Sequence, residues 1–566
     1  MAADGPETDV ASLPGTAPAI DLPRAVRLLT GLAWFSWALL WLQGSGQSAI
    51  APVIGTFALL GGVVIIGISL ASWPAERWRK VDVLILTGTL VIVGLWLGVN
   101  ASAHTYGNDE LTTGQASAVV LLQGHNPYGA DLTPTLNALN LPTQTATPIF
   151  GGGIVHTTSY PALSFLVYVP FGAVLGTGSP FALLADGIAF LALMVLLRRL
   201  LDERLRIVVP LIASAFLLVG FVDSGVTDSL FLPFLCVALY RWDRFVVPGE
   251  PAITRWLGPV CLGVACSVKP LPWLVGSFLV AAVALEAARR GGSPLRSAAK
   301  YAAAVLAVFL VINGPFIALD PGAWVHGALL PLVQPLIPSG QGIVQLPLYM
   351  HIAGGHVSYL TPAGLGAIVA SLGLFVAGYP RTRLLLPLMA VAPLLLSSRS
   401  LVNYFADLVI LLLVHASSIR RDEGVGVHGH PRVRLAGRGL AVAGGVVAAA
   451  ASAAFLLSPA PLQLSIAGTH RAVDTAGNIT VSLDVVAVNL TDQPIHPTFA
   501  VTFNGYLNPG WRPSAGSEVL PPHARETYRL VPTDPRTTID KNAVFRVDAL
   551  ATDPSSISTS EWATAP

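Results

Sequence analysis

Two adjacent carboxylates, Asp109 and Glu110, open the stretch GNDELTTGQASAVVLLQGHNPYG (residues 107–129), and no lysine or arginine occurs from position 81 to 197 to neutralise them. Adjacent carboxylates repel, so in a partly desolvated site one of them should have a raised pKa, which suits it to accept a proton from a hydroxyl. Neighbouring positions cannot both point at one atom. Asp109 is therefore read as the base, with Glu110 as the alternate or as an acceptor ligand; a solvated acid pair is the competing reading. Between residues 81 and 460 the basic clusters that mark cytoplasmic loops leave only two cations on the outer side. Lys269, in CSVKPLPWL, lies between two short apolar runs and is followed by Pro270 and Pro272, so it marks a break where a phosphate headgroup could be met. Arg399, in LSSRSLVNYF, is the second such cation. For both, the alternatives are snorkelling to an interface or pairing with a local acid such as Asp228. HNPYG reads as a turn, with Asn126 before Pro127 and Tyr128 available to hydrogen-bond. His104, His125 and His156 show no ligand spacing such as HxxxH.

The elements that must position these residues are apolar. Of 566 residues 53% are hydrophobic and 11% charged, with a mean hydropathy of +0.66, whereas a soluble globular chain is roughly a quarter charged. The chain is expected to be a polytopic α-helical membrane protein. A net charge of +1 gives no reason to expect a nucleic-acid partner. All three cysteines, Cys236, Cys261 and Cys266, fall in apolar runs and read as small buried side chains without disulfide or metal. Residues 1–23 are acidic and rich in Ala, Pro and Gly, unlike a secretory signal, and read as a disordered cytoplasmic tail.

Fourteen apolar segments follow, at about 25–43, 51–73, 82–101, 161–177, 180–198, 207–222, 229–241, 256–268, 271–288, 301–319, 361–378, 383–397, 400–417 and 439–458. Basic residues set their direction, because short cytoplasmic loops collect Lys and Arg. Arg24 and Arg27, then Arg77, Arg79 and Lys80, put both ends of the first hairpin inside, which places the loop 102–160 outside. The cluster Arg198–Arg206 should again be cytoplasmic, so one segment between 160 and 198 does not cross. The proline- and glycine-marked 161–177 is the better candidate. The expectation is about 13 crossings through residues 24–458, with Lys269 and Arg399 left as the outer-side cations. Within the loop, ELTTGQASAVVLLQG reads as an amphipathic interfacial helix that stops at Gly124. After Pro459, alternating stretches at 478–490, 498–505 and 544–551 separated by turn residues predict an extracytoplasmic β-sandwich over 461–566.

An acid in the first large outer loop, a helix ending LLQGHNPY, then SYPALSFLVYVPFG and later GVACSVKPLPWL together resemble the GT-C membrane glycosyltransferases. More narrowly, residues 82–417 are similar to the bacterial polyprenyl-phosphate-mannose-dependent mannosyltransferases. The resemblance implies inverting transfer of a sugar, mannose in the first place, from a polyprenyl-phosphate donor to a cell-envelope glycan or glycolipid on the outer face of the bacterial plasma membrane. It makes Asp109 the base and Lys269 the leading phosphate ligand. Arg399, Asn126, Tyr128, Tyr160 and Asp228 are the further substrate-binding candidates. No cofactor is expected, with a divalent metal left open. The sequence departs from the family pattern in two extra segments before residue 82, in Ala162 where a second proline is usual, and in its C-terminal domain. That domain resembles the external carbohydrate-binding module of mycobacterial arabinofuranosyltransferases, which makes an arabinofuranosyl donor the alternative. A transporter is the main non-enzyme rival, although no repeated halves are visible; a membrane anchor for the β domain is the third reading.

Overall fold

The structure, a computed structural model, describes residues 21–565 apart from 44–49, 105, 108, 141–146, 152–153, 219–226, 330–335, 351–354, 420–430, 474–478, 504–505, 534–538 and 554. The expected N-terminal tail lies almost wholly outside the described residues. Eight described helices are long and apolar enough to cross a bilayer: Leu22–Leu42, Ala51–Ser69, Ala75–Ala103, Phe181–Leu200, Leu271–Arg289, Pro294–Leu319, Val357–Gly378 and Pro431–Leu457. The other five expected crossings are shorter among the described residues. They are the helices Val208–Leu218, Asp228–Leu239, Ala252–Cys266 and Val402–Ser418, and the segment 381–395. In the last of these Pro387 and Pro393 remove backbone donors, and the chain runs as the 3₁₀ helix Arg381–Ala390 followed by Val391–Leu395.

The segment 161–177 forms two short helices, Leu163–Leu166 and Val169–Leu175, and ends at Gly176 with φ 86°. Together they rise about 20 Å, short of the roughly 30 Å of a hydrocarbon core. The loop helix is present as Asp109–Leu122 and stops where Gly124 takes φ 84°, with His125 N–H donating back to Val120 O at 3.1 Å. It is not amphipathic in the expected sense. Every residue from Leu111 to Val120 is buried, the polar ones included. Neighbouring elements surround the helix and satisfy those polar groups: Gln115 accepts from Tyr106 Oη at 2.9 Å and donates to Ser179 O at 3.0 Å, and Ser117 shares a 2.9 Å hydrogen bond with Thr158.

The chain divides into two compact units, residues 1–99 with 203–220, and 100–202 with 221–566. In the first, the helices Leu22–Gln43 and Ala51–Ser69 meet where Gly31 faces Gly62. Arg27 pairs with Asp82 at 2.7 Å and lies over the Trp78 ring at 3.8 Å, so the two basic ends of this hairpin sit together. In the second, charged residues far apart in sequence also gather at one end. Arg383 and Arg290 reach Asp243 at 3.0 and 3.6 Å, and Arg289, Arg290 and Tyr379 all reach Glu286 within 2.8 Å.

The helices Leu360–Gly378 and Pro431–Leu457 pack backbone to backbone through Gly366, Gly373, Gly437 and Gly444. A Cβ on Gly373 would lie 2.3 Å from the backbone nitrogen of Ala441, which cannot move aside as a flexible side chain would. Gly373→Val is expected to lower stability by about 1–3 kcal/mol, read as an earlier unfolding midpoint of the detergent-solubilised protein, with Gly439→Val, which meets nothing within 4 Å, as the silent control.

Two strands belong to the helical part, β1 (Ser339–Gly340) and β2 (Arg399–Ser400), paired in parallel. The C-terminal strands are β3 (Leu462–Val473), β4 (Ile479–Asn489), β5 (Thr498–Phe503), β6 (Tyr506–Ala515), β7 (Arg525–Pro532), β8 (Val544–Thr552), β9 (Ser555–Thr559) and β10 (Ala563–Thr564). Alternation along them supplies one apolar face, and they form a single antiparallel sheet in the order β10-β8-β5-β6-β7-β4-β3, with β9 on β8. The sheet curls until Leu462 N–H of β3 donates to Ser558 Oγ of β9 at 3.1 Å, enclosing a core that includes Val481, Val485, Phe499, Trp511, Tyr528 and Val547. It is seated on the helical part. Ile557 N–H donates to Gly355 O at 3.0 Å, and Leu550 and Ile557 pack with Phe150, Ile337 and Leu348.

Candidate functional site

Lys269 occupies a true break. Ser267–Pro270 separates the helices Ala252–Cys266 and Leu271–Arg289, and Pro270 and Pro272 cannot extend the first of them. The carbonyls freed there are recovered, since Trp273 Nε1 donates to Cys266 O at 2.8 Å and Leu163 N–H donates to Ser267 O at 2.9 Å. The short, proline-marked helix thus supports the break from behind. The lysine side chain, 1% exposed, donates to Glu110 Oε2 and to Asp228 Oδ1, both at 2.7 Å. Its ammonium also lies 5.5 Å from the Tyr160 ring centroid and 5.6 Å from that of Tyr404.

Each partner is held in turn. Asp228 begins the helix Asp228–Leu239 and accepts from Asn403 Nδ2 at 2.6 Å. Glu110 accepts from Thr227 Oγ1 at 2.9 Å and from Tyr160 Oη at 3.1 Å. Burial pushes the Glu110 carboxyl up, but the Lys269 charge and these hydrogen bonds outweigh it, so the group is held below the usual carboxylate range. Tyr160 precedes a proline and has φ 73°, a backbone state costing roughly 1–3 kcal/mol for a bulky residue. Tyr128 supports it by donating its hydroxyl to Tyr160 O at 2.8 Å. Asn126 caps the turn before Tyr128, accepting from Tyr128 N–H at 3.2 Å. These two candidates therefore brace the site from behind and do not line it.

Asp109 is treated differently from its neighbour. Its Oδ2 accepts from the Thr147 backbone N–H at 2.8 Å. Burial pushes its carboxyl above the usual range, the Glu110 charge adds to the rise, and the Thr147 hydrogen bonds and Arg399 charge only partly offset it. Arg399 also reaches Thr147, donating from Nη2 to its Oγ1 at 3.3 Å. Its backbone is fixed by the β1–β2 pair, where Gly340, at φ 104°, lies so close to Ser400 O that a Cβ would sit 2.2 Å away. Asp109, Glu110, Thr147, Ser159, Tyr160, Arg399 and Tyr404 line a small cleft.

Six of the eight expected site residues thus meet in one constellation: Asp109, Glu110, Tyr160, Asp228, Lys269 and Arg399. Lys269, the expected leading phosphate ligand, is absent from the cleft lining; its position matches the pairing alternative, with Glu110 as well as Asp228. Thr147, Thr227, Asn403 and Tyr404 escaped the sequence reading. The last two stand in the very stretch, LSSRSLVNYF, singled out for Arg399; nothing marked the threonines. Among the described residues no group of three or more His, Cys, Asp or Glu could hold a metal ion, and all three cysteines are buried and free. Tyr160→Phe keeps the ring and removes the hydrogen bond to a charged carboxylate, so it should lower stability by about 1.5–3 kcal/mol, measurable by denaturant unfolding in detergent.

Compared with models of protein families, with curated proteins and with solved structures, the chain matches none.

Proposed function

We propose that the protein is a polytopic membrane glycosyltransferase of the GT-C type. In this reading it transfers a sugar, mannose before arabinofuranose, from a polyprenyl-phosphate donor to a cell-envelope glycan or glycolipid on the outer face of a bacterial plasma membrane. The observation that carries this reading is the cleft in which the raised Asp109 carboxyl and the Arg399 guanidinium both hydrogen-bond to Thr147. The acceptor oxygen attacks the anomeric carbon as the carbon–oxygen bond to phosphate breaks. Asp109 takes the hydroxyl proton, and the phosphate leaves with the bonding electron pair. Arg399 stabilises that charge. Lys269 holds Glu110 and Asp228 in place and takes no part in binding the phosphate.

The proposed topology has 13 crossings, the N-terminus inside and residues 461–566 outside, as the curled single sheet that stands in place of the expected two-sheet sandwich. It is supported by the gathering of Arg289, Arg290 and Arg383 around Glu286 and Asp243, at the far end of the helix Leu271–Arg289 from Lys269. The module packs on Phe150 and Ile337, close in sequence to the cleft residues Thr147 and Leu336, which suits it to hold the acceptor glycan. Membranes containing the protein, incubated with radiolabelled polyprenyl-phosphate mannose or arabinofuranose, should label lipid-extractable or polymeric glycan with one of them. Absence of label with either donor would sink the reading.

A proton-coupled transporter is the second reading. It is favoured by the buried carboxylates Asp186 and Asp407, which interact electrostatically with Asp228 and Lys269. Proteoliposomes loaded with a pH-sensitive dye decide between the two, since a transferase produces no solute-driven proton flux.

A further inference from the structure

A second cavity lies at the other end of the helices that carry the site. The helix Asp228–Leu239 starts at the Lys269 cluster and runs away from it, and the helix Ala252–Cys266 returns to it. Their far ends are about 20 Å from the cluster by helical rise. Between those ends, Tyr240, Arg241, Trp242, Arg244, Phe245 and Arg255 line a cavity whose lining includes no carboxylate. Arg244 is paired with Glu250 at 3.1 Å, but Arg241 and Arg255 have no acid partner among the described residues. Arg241 rests against the Tyr240 ring at 5.3 Å.

Two donors there are left over. Trp242 is 2% exposed, with the Arg383 guanidinium 5.5 Å from its ring centroid, and among the described residues neither its indole N–H nor the buried Arg255 Nε has an acceptor. Buried unsatisfied donors are costly, and guanidinium and indole N–H groups on residues that line one cavity suit the several oxygens of a phosphate. The surroundings select the carrier of that phosphate. Ile253, Leu257 and Val260, at helical spacing i, i+4, i+7, are exposed and lead from the cavity wall along one helix face, an apolar track for an acyl chain.

We propose that this cavity binds the phosphate headgroup of an anionic phospholipid, with Arg241, Arg255 and the Trp242 indole N–H as donors and an acyl chain along Ile253, Leu257 and Val260. The site is separate from the cleft and does not depend on the transferase reading.

The full-length protein in mild detergent is titrated with short-chain phosphatidylglycerol, with short-chain phosphatidylcholine and with inorganic phosphate, reading the thermal unfolding midpoint. Phosphatidylglycerol should give a saturable rise that phosphatidylcholine does not. Arg255→Gln and Arg241→Gln should each weaken the apparent affinity about tenfold, the value of one charge-assisted hydrogen bond. Trp242→Phe, which keeps the packing, should weaken it about fivefold and keeps the test decisive if an arginine variant misfolds. A rise with inorganic phosphate equal to that with the lipid supports the phosphate site and identifies a free phosphate as its source. Equal response to both lipids, or wild-type affinity in Trp242→Phe and either arginine variant, overturns it.

Discussion

Asp109→Asn should lower sugar transfer by about 10²–10⁴-fold while the protein folds and expresses normally. The substitution keeps the shape and leaves an amide oxygen to accept from Thr147 N–H, so only the proton acceptor is lost. The same group sets the pH dependence. Burial and the Glu110 charge raise the Asp109 pKa, and a base must be deprotonated to act. Activity is therefore full above that raised value and falls as the pH drops through it, so the acid limb of kcat/KM should lie above the usual carboxylate range. In the Asn variant that limb should vanish from the residual rate. A variant that turns over like the wild type, or a wild-type acid limb at the value of an ordinary exposed aspartate, would remove Asp109 from the mechanism.

Arg399→Met and Lys269→Met should fail in different ways, because one cation lines the cleft and the other is enclosed by its own acids. Arg399 has no acid partner within ion-pair distance among the described residues and faces the space where phosphate charge would develop. Its loss should lower turnover by an oxyanion-type factor of about 10²–10³ with the unfolding midpoint unchanged. Lys269 is 1% exposed between Glu110 and Asp228. Removing it leaves two buried carboxylates uncompensated, a loss of about 3–5 kcal/mol in stability. Turnover per folded molecule and denaturant unfolding, measured on both variants, separate the roles. A stable Lys269→Met with greatly reduced turnover would return the phosphate to Lys269.

Much of the fold was legible in the sequence, because helix and strand boundaries are set by local chemistry. Apolar run lengths located the helices to within a few residues except where the helix starts earlier in a polar flank, as at Ala75 and Pro431. Prolines and glycines marked the break at 161–177. The period-2 alternation over 478–490 anticipated β4, Ile479–Asn489. The adjacent acids, the proline-flanked lysine and Arg399 were visible for the same reason, as unusual residues in an apolar setting. Only the tertiary structure decided what they do to one another. Lys269 meets Glu110 across 159 residues and Asp228 across 41, and Asn403 reaches Asp228 across 175, separations that no local pattern encodes. The helix Asp109–Leu122 looked amphipathic because its own residues cannot reveal that neighbours cover its polar side as well. The division of labour between Asp109 and Glu110 likewise comes from outside the pair: a lysine turned toward one and a backbone N–H with a distant guanidinium toward the other, since desolvation and opposing charge act through space.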